Sequence, residues 1–219
     1  MRVFMRFAVL AALPLLAGCF DFRQDLTVNS DGTVVMVMEM AMSAEMAAFA
    51  AQEGGEDSFC PALIDPVPEG YAATTELLTR ENGDSVCRIT ATGPIALLQA
   101  AIDAGTLMPG GVDEEGAALI KITDEGGGVF SYDLLFVVPP EEPPTAPMTP
   151  EEAAFEAQME TMVLEAMEGR LLIWSVTAPR IIDTNGTVVG NLVSFELPLA
   201  ISMTEPGTTH EFHVRFALR

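Results

Sequence analysis

Residues Thr33–Met42 read TVVMVMEMAM, with Met36, Met38, Met40 and Met42 at every second position. In an extended chain alternate residues share a face, so four thioethers line one side of a predicted strand. The preceding run Phe20–Asn29 also alternates, and Asn29-Ser30-Asp31-Gly32 joins the two. That joint decides the fold locally. A type I turn with a left-handed Gly32, looping over Ser30, Asp31 and Gly32, sets Leu26 opposite Met36, Gln24 opposite Met38 and Phe22 opposite Met40. It also sets Arg23 across from Glu39, a favourable cross-strand charge pair. A two-residue Asp31-Gly32 loop sets Asp25 against Met38 and Arg23 against Met40, mixing polar with apolar. A slip of one residue exchanges the faces of a strand. The first register is preferred, because it gathers Phe22, Leu26, Val28 and the methionines on one apolar face.

The same arrangement of two alternating runs and a helical run recurs along the chain. Tyr71–Arg80 and Ser85–Thr92 precede a helical Pro94–Ala104. Ala117–Thr123 and Val129–Val138 precede Glu151–Glu168, as Phe20–Asn29 and Thr33–Met42 precede Ser43–Gln52. Three strands follow: Leu171–Ala178, Val188–Pro198 and His210–Leu218. This predicts an α+β fold in which antiparallel β-hairpins form a curved sheet and about three helices pack on one face. The third helix has the clearest ends. Thr149 caps it, Pro150 fits the first helical position, Glu152 completes a capping box and Gly169 stops it. Phe155, Met159, Met162, Val163, Ala166 and Met167 form its expected core stripe. The proline-rich stretch 139–150 is a stiff connector within a single domain, 19–219.

The chain opens MRVFMRFAVLAALPLLAGC. Arg2 and Arg6 precede an apolar run, Phe7–Gly18, that is too short to span a bilayer, which takes about 20 residues. This is the pattern of a secretory signal peptide, 1–18. Leu16-Ala17-Gly18-Cys19 resembles the lipobox of bacterial lipoproteins, and the resemblance implies a lipidated Cys19. Two or more acyl chains hold a protein stably at a membrane. Among the remaining thiols, Cys60 and Cys87 make an even pair in an oxidising compartment and read as a disulfide. A two-thiol metal or redox site favours closer spacing.

Thirty-two acidic residues against ten basic ones give a formal net charge of −22. Nucleic acid is a poor partner for such a surface, since its recognition needs clustered Lys and Arg. Thioethers suit Cu(I), but a copper site calls for exposure and for nearby His or Cys. The only histidines, His210 and His213, fall on opposite faces of one strand. No nucleophile elbow, zincin helix, C-x-x-C pair or Walker loop is present. The sequence predicts no enzyme, catalytic residue, cofactor or metal.

Several segments resemble the LppM-like lipoprotein domain family: the lipobox with Cys19-Phe20, the strand and Asn-Ser-Asp-Gly-Thr hairpin after it, and Val176–Pro198, VTAPRIIDTNGTVVGNLVSFELP. In the last, Asp183-Thr184-Asn185-Gly186 repeats the turn chemistry of Asn29–Gly32, and Pro179, Gly186, Gly190 and Phe195 match family positions. The resemblance implies an α+β envelope domain, with lipid or glycolipid binding in some members. Members often carry a C-terminal transmembrane helix. Here the sequence ends HVRFALR, so anchoring is expected to rest on Cys19.

The expected protein is therefore a lipid-anchored, non-enzymatic bacterial envelope protein facing the periplasm. It binds an apolar or lipid ligand, or another envelope component, over a face bearing Phe22, Leu26, Met36, Met38 and Met40. A structural or assembly protein acting through envelope partners is the alternative, and a methionine-based copper module is a further one.

Overall fold

The computed structural model describes residues 20–44, 60, 67–103, 118–140 and 149–219. The expected signal segment, Cys19, most of the first expected helix and most of the proline-rich connector lie outside the described residues. Eleven described strands run in order: β1 (Phe20–Val28), β2 (Thr33–Met42), β3 (Ala72–Thr79), β4 (Ser85–Pro94), β5 (Ala118–Gly126), β6 (Val129–Val137), β7 (Leu171–Thr177), β8 (Arg180–Thr184), β9 (Thr187–Val189), β10 (Leu192–Pro198) and β11 (Thr209–Ala217). The described helical segments are a 3₁₀ turn (Ile95–Leu97) leading into α1 (Leu98–Asp103), then α2 (Pro150–Met167) and the single turn α3 (Ile201–Thr204).

The fold is α+β and strand-rich, with two sheets. One has seven strands in the order β3-β4-β2-β1-β7-β10-β9, the other four in the order β5-β6-β11-β8. Pairing is antiparallel except between β1 and β7. The sheets share one core. Trp174 of the large sheet lies 5.8 Å from Phe136 of the small one, and Phe195 stacks on Phe212 at 5.2 Å between ring centroids. This corrects the expectation of helices packed on one sheet face: the inward face of the large sheet is covered by the small sheet. Of the helices, α1 and α3 add Leu98, Ala101, Ile102 and Ile201 to the core.

The preferred hairpin register is the one found, with Leu26 opposite Met36, Gln24 opposite Met38 and Phe22 opposite Met40. Gly32 adopts φ +83°. Asp31 Oδ1 accepts from the Thr33 amide at 2.9 Å and from Thr33 Oγ1 at 2.7 Å. Arg23 and Glu39 stand opposite each other as the expected cross-strand charge pair, but without a direct ion-pair contact. Arg23 instead binds Asp25 at 2.6 Å, and Glu39 binds Arg88 at 2.6 Å. Arg88 lies opposite Glu39 on β4, the other neighbour of β2, and a reading of one hairpin contains only one of its two flanks.

The late segment departs further from expectation. The predicted strand Val188–Pro198 is split by the Gly190-Asn191 turn into β9 and β10, and β8 was not anticipated. Because β8 and β9 belong to different sheets, Asn185-Gly186 is where the chain crosses the sandwich. A Cβ on Gly186 would stand 2.6 Å from the Phe212 ring, 2.7 Å from Val193 and 2.8 Å from the Ser194 carbonyl oxygen. The Asn185 side chain acts as a piece of strand: its Nδ2 donates to Glu211 O at 2.8 Å, and its Oδ1 accepts from the His213 amide at 2.8 Å.

Helix α2 has its predicted ends. Thr149 and Glu152 form the capping box, and Gly169 at φ +74° follows. Hydrogen bonds from Thr149 hold the Glu152 carboxyl below its ordinary range. The expected core stripe is corrected: Val163 and Met167 are buried, whereas Phe155 and Met162 stay 46% and 50% exposed. The Ala166 side chain lies outside the described residues.

Candidate functional site

The inward face of the large sheet is ordered in rows, because the strand registers align. One row runs Ala73–Ala91–Met36–Leu26–Val176–Val193. Its neighbour runs Thr75–Ile89–Met38–Gln24–Trp174–Phe195, and the next Leu77–Cys87–Met40–Phe22–Leu172–Leu197. The rows differ in burial. Leu26, Met36, Val176, Ala91 and Val193 are closed off. In the third row Phe22, Met40 and Leu172 are half-buried. The interior therefore loosens in the middle of that row, on β2, β1 and β7, whereas Cys87 and Leu197 on either side stay buried.

The five residues expected to face a ligand separate along this gradient. Leu26, Met36 and Met38 are buried in the core that the two sheets share, at 2%, 1% and 2% exposure, so they line the interior and not an open surface. The physical reason is the second sheet, whose Phe130, Tyr132, Leu134, Phe212, Val214 and Phe216 belong to the same core. Phe22 and Met40 remain at the half-open margin, packed against that core.

The middle row holds what the sequence reading passed over. Among the described residues, three buried side-chain polar atoms have no hydrogen-bond partner in the protein: Gln24 Oε1, Thr75 Oγ1 and Trp174 Nε1. All three belong to the same row, and Gln24 and Trp174 are direct neighbours in the β1–β7 pairing. Gln24 does use its Nε2, which donates to Met36 Sδ at 3.5 Å. Trp174 is ringed by Phe22, Phe136 and Phe195 at centroid distances of 5.9, 5.8 and 6.4 Å. A sequence signal existed, since Gln24 is a polar residue at an inward position between Phe22 and Leu26. Trp174 gave no comparable signal, because its parallel partner lies 150 positions away.

The cysteine pair forms the disulfide Cys60–Cys87. Cys87 is fully buried in the half-open row, and Cys60 packs on the same core. The outer face of the large sheet carries an ionic chain. Asp21 meets Arg80 at 3.2 Å and Arg170 at 3.3 Å, and Arg170 reaches Asp84 at 3.7 Å. This fastens the first turn of chain after Phe20 to two other parts of the sheet.

Among the described residues the histidines do not assemble a nucleophile with a base. His213 Nδ1 lies 2.5 Å from Asp133 Oδ1, and Ser131 Oγ donates to Asp133 Oδ2 at 3.2 Å. The aspartate stands between serine and histidine, whereas Ser–His–Asp chemistry needs the histidine in the middle. His210, on the other face of β11, meets Thr208 Oγ1 at 3.1 Å. Among the described residues no group of three or more His, Cys, Asp or Glu side chains is placed to hold a metal. No described helix is long and apolar enough to cross a membrane.

No known family model and no curated protein matches the chain. A solved structure does: the folded domain of the Mycobacterium tuberculosis LppM protein, determined by NMR, aligns with a TM-score of 0.51. The identity is 14%, and the alignment covers 91% of this chain and 90% of that one. At this identity the likeness is one of fold.

Proposed function

We propose that this protein is a lipid-anchored, non-enzymatic module of a bacterial envelope that takes an apolar or lipid molecule into the half-open end of its sandwich. The observation that carries this reading is the burial gradient of the inward face, which loosens at Phe22, Met40 and Leu172. That end is also where β1 starts, at Phe20, one residue after the lipobox cysteine. With Asp21 held by Arg80 and Arg170, a lipidated Cys19 has no slack before the fold. The open end then lies close to the membrane surface from which an apolar molecule would come. The LppM likeness in fold supports an envelope lipoprotein domain.

The test is native mass spectrometry of the full chain purified from membranes in mild detergent, with organic extraction of the same sample. A stoichiometric co-purifying lipid is expected, and a protein that is uniformly free of one would overturn the reading. Acyl labelling lost in Cys19→Ala checks the anchor.

A second reading, an assembly protein acting through partners, draws on α2. This helix leaves Phe155 and Met162 exposed beside glutamates and carries no basic residue. Such a face suits a partner that is apolar and basic. A photo-crosslinking residue at position 155 should capture one defined envelope protein in cells, and random adducts would sink the reading.

A further inference from the structure

We infer that Gln24 and Trp174 together recognise a hydroxyl group, so that the molecule accepted between the sheets is a neutral, hydroxyl-bearing apolar compound. This rests on the apolar-ligand reading above and names the chemistry of its ligand. Gln24 Oε1 is an acceptor and Trp174 Nε1 a donor, both buried and both without a protein partner. Leaving such groups unmatched in an apolar interior destabilises the fold, and buried polar groups are ordinarily hydrogen-bonded.

The two residues face the same way on adjacent strands at one register position, and neighbouring strands are about 4.8 Å apart. A hydroxyl offers one donor and two acceptor sites. It therefore satisfies both residues at once, accepting from the indole N–H and donating to the amide oxygen. A bare hydrocarbon satisfies neither.

An ionised head group is excluded by charge. The buried polar side chains among the described residues are Gln24, Asp84, Ser131 and Ser175, and none is a cation. A carboxylate or phosphate drawn to Gln24 and Trp174 would be buried without a counter-charge, which is far costlier than burying a neutral hydroxyl. The apolar part of the molecule has a matching path. The next row outward, Met40–Phe22–Leu172, is apolar and half-buried, so a chain attached to the hydroxyl would leave the interior along Phe22.

Trp174 is the only tryptophan of the chain, and its emission reports on the site itself. The full chain in phosphatidylcholine vesicles is titrated with 1-dodecanol, 1-chlorododecane and dodecanoate at pH 8. The expected result is a saturable red shift of tryptophan emission with dodecanol, at a midpoint at least tenfold below that of the other two, the factor one neutral hydrogen bond supplies. Gln24→Met, similar in volume and lacking the amide, should lose that tenfold preference while still binding the chloroalkane. Equal binding of all three probes, or tighter binding of dodecanoate, overturns the hydroxyl site but leaves the apolar-ligand reading standing. Absence of saturable binding by any probe overturns both. The head-group comparison in the unaltered protein decides the matter even where the variant fails to fold.

Discussion

Asn29–Gly32 and Asp183–Gly186 carry nearly the same turn residues, yet the first reverses the chain within one sheet and the second carries it from the small sheet to the large one. Their glycines serve different ends. Gly32 has φ +83°, and a side chain there would meet nothing nearer than Leu218 at 3.7 Å. It is glycine for conformation. Gly186 lies outside the positive-φ set, but a Cβ would enter the Phe212 ring and the backbone of β10. It is glycine for space. Their polar neighbours differ in the same way. Asp31 bonds to Thr33 two residues on, whereas Asn185 bonds to β11, 26 and 28 residues away.

That contrast orders the expected effects of substitution. Gly186→Ala should be the most damaging, at about 3 kcal/mol, the upper part of the usual over-packing range. The urea midpoint would show it, and a loss below about 1 kcal/mol would mean that the crossing is not close-packed. Asn185→Ala leaves the Glu211 carbonyl and the His213 amide to water, and because both hydrogen bonds are exposed about 1.5 kcal/mol should be lost. Amide exchange at His213 should quicken in the same variant, and unchanged protection there would break the comparison. Gly32→Ala should lose only about 1 kcal/mol, through backbone strain with no steric clash. Thermal unfolding of the pair Gly32→Ala and Gly186→Ala therefore separates conformation from space.

The smallest effect is a pH dependence. Hydrogen bonds from the Thr33 side chain and amide hold the Asp31 carboxyl below its ordinary range. A depressed carboxyl stabilises the folded state above its unfolded pKa and loses that contribution as pH falls through the folded one. Asp31→Asn should remove this part of the acid sensitivity, as read from stability at pH 5 against pH 2. An unchanged slope would mean that the turn does not depend on the charge.

The hairpin was legible because its determinants are local. A four-residue turn and the parity of Phe22, Leu26, Met36, Met38 and Met40 specify both register and face without reference to the rest of the chain. The ends of α2 were legible for the same reason, since Thr149, Pro150, Glu152 and Gly169 act within one turn of helix. Its core stripe was not, because Phe155 and Met162 have helical spacing but stay exposed. The candidate site was half legible. The sequence pointed to the inward, apolar face, but not to the second sheet that buries Leu26, Met36 and Met38 there. It also passed over Gln24, whose meaning depends on Trp174 beside it.

Which strands alternate, how β1 meets β2, which side of that hairpin is apolar and where the long helix starts and stops are all written in the amino-acid order. These follow from turn geometry, capping and side-chain parity, all of which act over a few residues. That a second sheet covers the methionines, that β1 lies parallel to β7, and that Asn185-Gly186 bridges the two sheets emerges only in the folded chain. An apolar face states only that it must be covered. Which element covers it depends on contacts between residues more than a hundred positions apart, and no local pattern encodes that choice.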